Sequence, residues 1–265
     1  MRPGGRRAYA VVLMVGVLGA PGCGVQDSPE VAQEPTPSEA TTTISKAPAK
    51  RPPLDRTELD AHLAALSSDD RALVDHYLEV ERDENLGEGT WVVTAPLTVE
   101  EAKRRLLGLD ARPMSAAERE RMGFEKSAYT FVQVGDGVVA YEDTGFADPP
   151  KRLLAALSED GAVSAVATDN IEAMTRFGYA RDGKVVYDNY EYAFEDDLDD
   201  IPLEVRDLAR LARVDPKGPM VETASWSAVA LAMSEKVTGV RAVRPGWETG
   251  DWYVVPVPWG VSEDY

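Results

Sequence analysis

The apolar positions change period along the chain, and each change marks an element. Leu59, Leu63 and Leu66 recur at helical spacing, and Leu73, Tyr77 and Val80 repeat the pattern after Ser67-Ser68-Asp69-Asp70. This predicts a helical hairpin or kinked helix over residues 57–83, its second half capped by the Ser/Asp run. Gly89 to Ala95 is a strand-like run. Thr98-Val99-Glu100-Glu101 is a capping box that opens a helix through Leu107, with Gly108 as its stop. Ser115 to Met122 reads as a short helix.

Alternation then takes over. Tyr129–Val134 and Val138–Asp143 flank Gly135-Asp136-Gly137, and Thr175–Ala180 and Lys184–Tyr190 flank Asp182-Gly183. Both are β-hairpin signals. Between them, a short helix is expected at Leu153-Leu154 after Pro149-Pro150, and a strand over Ala162–Thr168. Leu203–Ala212 and Val221–Val237 are predicted helices, the latter with Trp226, Val229, Met233 and Val237 as one apolar stripe. Trp252–Val257 reads as a terminal strand. This order predicts an α+β fold: a largely antiparallel sheet with two hairpins, helices packed on one face and a helical segment at the N-terminal side.

The first fifty residues follow another rule. Arg2, Arg6 and Arg7 precede an uncharged, largely apolar run, Ala8 to Ala20, which leads through Pro21-Gly22 to Cys23, the chain's single cysteine. That is the layout of a secretory signal, and the run is shorter than the ~18 residues a spanning helix needs. The segment resembles a bacterial lipoprotein signal with Cys23 as its lipidation site. Gly22 fits the pattern, while Ala20 stands where leucine is usual and Pro21 where a small residue is. A lone thiol has no internal disulfide partner. Two acyl chains on it, at about 0.8 kcal/mol per buried CH₂, anchor where one does not. Gly24 to Pro53, with Pro29, Pro35, Pro37, Pro48, Pro52, Pro53 and Thr41-Thr42-Thr43, has too little apolar surface to fold and is expected to be an extended tether. The expected organisation is therefore a signal at 1–22, a disordered tether at 23–53 and one acidic domain at 54–265.

Charge narrows the partners. The formal net charge is −18; residues 1–22 carry three arginines and no acid, and residues 24–53 carry four acids against three bases, which leaves −20 on residues 54–265. Such an excess opposes nucleic acid and direct docking on anionic lipid; because the acids are spread along the chain the plain reading is solubility, and the sharper one is a cationic partner.

Candidate chemistry is sparse. His62 and His76 are the only histidines; His76 has Tyr77 and Glu79 nearby and His62 has Glu58, but neither set closes a metal-binding motif, so no metal site and no Ser-His-Asp triad is expected. No phosphate-cradling glycine loop is present, and no cofactor is expected. The acids Glu191, Glu195, Asp196, Asp197, Asp199 and Asp200 lack calcium-loop spacing and read as a solvated loop. Trp247, Trp252, Tyr253 and Trp259 fall within thirteen residues among glycines and prolines. They are the candidate binding surface, for stacking on a glycan or a cationic group, against the plainer reading of rings packed onto the domain.

Trp91-Val92-Val93, Leu97-Thr98-Val99-Glu100-Glu101, Gly161-Ala162-Val163-Ser164, Phe177 to Gly183, Leu231-Ala232 and Glu235 to Val240 occur in an order that resembles an uncharacterised actinobacterial domain family over residues 88–243. The resemblance implies a lineage and a fold, and no site. The leading expectation is a non-enzymatic, lipid-anchored extracytoplasmic protein that binds a cationic or glycan component of the envelope. The alternatives are an envelope hydrolase using a carboxylate pair on glycan or peptide, and an immunity-like protein against a basic toxin.

Overall fold

The computed structural model describes residues 56–84, 89–109, 111–121, 127–170, 175–194, 198–212, 225–243 and 251–255. All of them belong to one compact unit, Lys50–Tyr265. The signal, Cys23 and the tether lie outside the described residues, as do Trp247, Trp259 and Glu195–Asp197.

Among the described residues, eight strands form one antiparallel sheet: β1 (Gly89–Ala95), β2 (Pro113–Met114), β3 (Ala128–Val134), β4 (Gly137–Glu142), β5 (Val163–Asp169), β6 (Thr175–Arg181), β7 (Lys184–Asn189) and β8 (Trp252–Val254). Their order is β2-β8-β3-β4-β1-β5-β6-β7. β1 is central and buried along its whole length, so both its faces must be apolar. The two expected hairpins are β3–β4 and β6–β7. Each closes through two residues, Gly135-Asp136 and Asp182-Gly183, and the second turn holds positive φ at both (52° and 73°), the backbone that an Asp-Gly pair supplies.

Alternation along the strands gives the sheet two cores. Trp91, Val93, Val139, Tyr141, Ala165, Ala167, Phe177 and Tyr179 point to a first face, and Val92, Ala140, Val166 and Ala180 to a second. The first face carries α7 (Trp226–Thr238), which lies on β5 and β1 and is itself covered by α2 (Ser68–Glu84) and α6 (Leu203–Ala209). With neighbours on both sides, α7 is buried from Ser227 to Ser234, all round rather than along the single stripe expected from its sequence. Ser225 caps its N-terminus and Gly239, at φ 73°, its C-terminus. α2 is latched to it by Tyr77, whose hydroxyl donates to Glu235 (2.7 Å) and accepts from the Ala242 N–H (2.8 Å), and by Lys236 on Asp70 (2.6 Å). The N-terminal segment is a helical pair, with α1 (Arg56–Ala65) separated from α2 at Leu66-Ser67.

The second face carries α3 (Val99–Leu107) and α5 (Lys151–Leu157), which bury Leu106, Leu107, Leu154 and Leu157. Arg105 ties the end of α5 to α3, donating to Ala156 O (3.1 Å), Glu159 O (3.2 Å) and the Asp160 carboxylate (2.7 Å). The α+β class and the antiparallel sheet with its hairpins are as expected. The helices, however, cover both faces rather than one. The physical reason lies in β1 and β5, whose two sides are both apolar and both need cover.

Candidate functional site

At one end of the second face the apolar pattern breaks. Cross-strand register puts Glu142 of β4 beside Thr90 of β1, Thr90 beside Thr168 of β5, and Thr168 beside Arg176 of β6. Four polar side chains thus make one row across four strands, and all four are buried. Neither short helix reaches over this row. The segment 143–150, between β4 and α5, closes it instead.

Arg176 is the anchor. Its Nε and Nη2 hold Asp188 of β7 in a two-pronged pair (2.7 and 3.0 Å), its Nη1 donates to Pro149 O (2.8 Å) and lies 3.4 Å from Asp148, and its plane sits 4.6 Å from the Tyr190 ring. Asp188 fits because Gly178 faces it across the hairpin: a Cβ there would lie 2.5 Å from Asp188 Oδ1. Thr168 donates to Asp148, so Thr90, 3.2 Å away, is the donor to Thr168. Glu142 receives the Thr144 hydroxyl and the Gly145 N–H (2.8 Å), and the Tyr129 hydroxyl of β3 donates to Ala147 O (2.5 Å).

Burial governs the protonation of this cluster. It pushes the Glu142 and Asp148 carboxyls up, against the hydrogen bonds and the Arg119 and Arg176 charges that favour ionisation. Burial works against the Arg176 charge too, but Asp148 and Asp188 outweigh it and hold the guanidinium above its usual range. On the first face, Asp169 is also pushed up by burial while accepting from Ser227 (2.6 Å). Asp143 pairs with Arg119 of α4 (Ala116–Arg121).

The predicted residues scatter. Trp252 is 1% exposed, on the first face, with the Arg119 guanidinium 5.2 Å from its ring. This corrects its place in an exposed aromatic surface: β8 inserts between β2 and β3, and that pairing turns Trp252 toward the core. Tyr253 takes the opposite face and is half-buried, with Lys103 Nζ 4.6 Å from its ring and Phe131 5.9 Å away. His62 and His76 are half-buried, and His76 stacks edgewise on Tyr77 (4.9 Å). Asp199 and Asp200 are exposed, and Asp199 takes Arg206 (2.9 Å). Among the described residues no three His, Cys, Asp or Glu side chains are placed to hold a metal ion.

Sequence reasoning did not reach Glu142, Asp148, Arg176 and Asp188. Their signal was a polar residue on the inward period of an apolar strand, as in Val138-Val139-Ala140-Tyr141-Glu142, repeated at the same end of several strands. Asp143 is paired with Arg119, the guanidinium that lies 5.2 Å from the Trp252 ring. The geometry defines an α+β domain whose buried charge is knotted into its scaffold. No family model, no curated protein and no solved structure matches the chain.

Proposed function

We propose that the chain is a lipid-anchored, extracytoplasmic binding protein, non-enzymatic, held to the membrane through Cys23 and presenting its acidic domain to a cationic or glycan component of the envelope. The observation that carries this reading is the arginine-bearing apolar run that ends at Cys23 and passes into a proline-rich stretch. No described helix is long and apolar enough to cross a membrane. The buried carboxylates support the binding side of the proposal. Asp143, Asp148 and Asp188 face arginines, Glu142 faces a hydroxyl and an N–H, and Asp169 faces a hydroxyl. Each of these carboxylates would have to give up a partner within the domain to reach a substrate. The order of short motifs between residues 88 and 243 supports an actinobacterial lineage as part of the same proposal.

Cys23→Ser in a bacterial host tests the anchor: the variant is expected in the soluble fraction, and retention in the membrane fraction as firm as the wild type's overturns it. The binding half is tested with envelope extract passed over the full chain. A component retained by the folded protein and released on heat-unfolding is expected. An extract that yields none overturns that half.

A further inference from the structure

The stretch from Glu142 to Arg152 sorts its charges by side. Its three acids turn inward: Glu142 takes the Thr144 hydroxyl and the Gly145 N–H, Asp143 pairs with Arg119, and Asp148 reaches Thr168 and Arg176. Its two cations turn outward. Lys151 and Arg152 are exposed, and neither is in an ion pair among the described residues, whereas Lys103, Arg104 and Arg105 of α3 are each matched by a carboxylate. Helix stability does not account for the two. They occupy the first turn of α5, where the helix dipole favours acids over cations, and that turn holds no acid. Phe146 is turned outward as well: it is 43% exposed, the one aromatic among the exposed large apolar side chains described. The backbone that carries it is pinned on both sides. Gly145, at φ 70°, donates to Glu142, and the carbonyls of Ala147 and Pro149 accept from Tyr129 and Arg176. Within a strongly acidic domain, this stretch offers solvent one ring and two positive charges.

We propose that it is a membrane-contact tip: Phe146 enters the boundary between headgroups and acyl chains of an anionic leaflet, and Lys151 and Arg152 bind the lipid phosphates beside it. The proposal rests on the lipid-anchor reading of Cys23, which supplies proximity. Free in solution, a domain of this net charge is repelled by anionic lipid. Held by the roughly thirty residues between Cys23 and α1, it meets the leaflet at an effective concentration on the order of millimolar, where weak contacts suffice. Each cation close to anionic lipid contributes about fivefold in binding. An aromatic ring suits the shallow depth at which apolar groups of a peripheral element are buried. Because the backbone is already pinned, little freedom is lost on contact.

The test supplies the anchor independently. The Cys23→Ser chain, its signal replaced by a hexahistidine tag, is held on vesicles by nickel-chelating lipid, so that the domain sits at the membrane whether or not Cys23 is ever acylated. Hydrogen–deuterium exchange is compared on vesicles of mixed phosphatidylglycerol and phosphatidylcholine and on vesicles of phosphatidylcholine alone. Peptides covering 143–152 are expected to gain protection on the phosphatidylglycerol vesicles, to gain less on phosphatidylcholine, and to lose most of the gain in about 0.5 M salt. Lys151→Ser/Arg152→Ser is expected to lower the docked-to-free ratio on the order of twentyfold, and adding Phe146→Ser should abolish the gain. Peptides from β1 should be unchanged in every variant, which shows that the domain is folded. Absence of a gain on phosphatidylglycerol vesicles overturns the proposal. So does a gain that the triple variant keeps, or one as large on phosphatidylcholine alone. Because the tag replaces the lipid, any of these results tells against the tip and not against the anchor, which the fractionation of Cys23→Ser tests by itself.

Discussion

Trp91 and Val92 are neighbours in β1, yet they look onto faces closed in different ways. The first face is roofed by α7, with α2 and α6 behind it, and its floor is aromatic: Trp91 packs on Tyr141 (4.9 Å), and Phe177 lies between Tyr179, Tyr187 and Tyr192. Its buried polar atoms are loosely served. Trp91 Nε1 and Thr130 Oγ1 have no hydrogen-bond partner among the described residues. The second face has two helices of nine and seven residues, and where they stop, a row of polar side chains and a tied-down segment take over. Apolar burial scales with area and is tolerant of direction. Charge closure demands geometry and penalises any missing partner. The first face should therefore lose stability in proportion to the volume removed, and the second in proportion to the partners orphaned.

The largest effect is expected on the first face. Trp91→Ala removes a side chain that is 1% exposed from the central strand. It should cost about 4–5 kcal/mol, the upper range for a large-to-small core change. Thermal unfolding is expected to drop by on the order of 10 °C or more. A loss under about 2 kcal/mol would mean that α7 and its neighbours collapse into the space, and would break the contrast from that side.

The second face is probed by Asp188→Asn, which takes the two-pronged partner from buried Arg176 and leaves it Asp148 at 3.4 Å. Removing one charge of a buried pair should cost about 3 kcal/mol. The sharper experiment pairs it with Asp148→Asn/Arg176→Met/Asp188→Leu, which removes all three buried charges of the cluster. That triple variant is expected to melt above Asp188→Asn, because a buried ion cluster gains little over neutral substitutes while a broken one is a liability. If it melts below, the charges themselves stabilise the second face, and the distinction between area and partners fails there.

The two faces also differed in how far they could be read from sequence. Elements with local causes were legible. Gly89–Ala95 is a strand at the expected residues, Thr98 and Gly108 bound their helix, and Asp182-Gly183 makes its turn. The polar row was not, because its members are spread from Thr90 to Arg176 and meet only through sheet order. β1 lies between β4 and β5, a placement no local signal encodes. Trp252 misled for a related reason. Its glycine- and proline-rich surroundings resemble an exposed loop, whereas pairing with Met114 and Thr130 turns it into the core. α3 and α5 were assigned to the same face as the other helices because amphipathic pattern says which side of a helix is apolar and nothing about which side of a sheet it meets.

The smallest effect is expected where the second face meets solvent, at the start of α3. Thr98 accepts from the Glu101 N–H (3.3 Å), the forward half of the capping box. The return half is not made, because the Glu101 carboxylate is taken by Arg104 (2.5 and 2.7 Å) and Arg105 (2.6 Å). Those bonds to Arg104 and Arg105 hold the Glu101 carboxyl down to about 2. Thr98→Ala should therefore cost about 1 kcal/mol, the usual worth of a threonine cap, and lower the melting temperature by about 2–4 °C. Because the pKa of Glu101 is depressed, its pairs persist above about pH 4 and are lost only as pH falls toward 2. The cost of Thr98→Ala is accordingly expected to be the same at pH 5 and pH 8. A cost that doubles at pH 5 would mean that the cap is coupled to the carboxyls of the polar row across α5, and that the second face titrates as one unit.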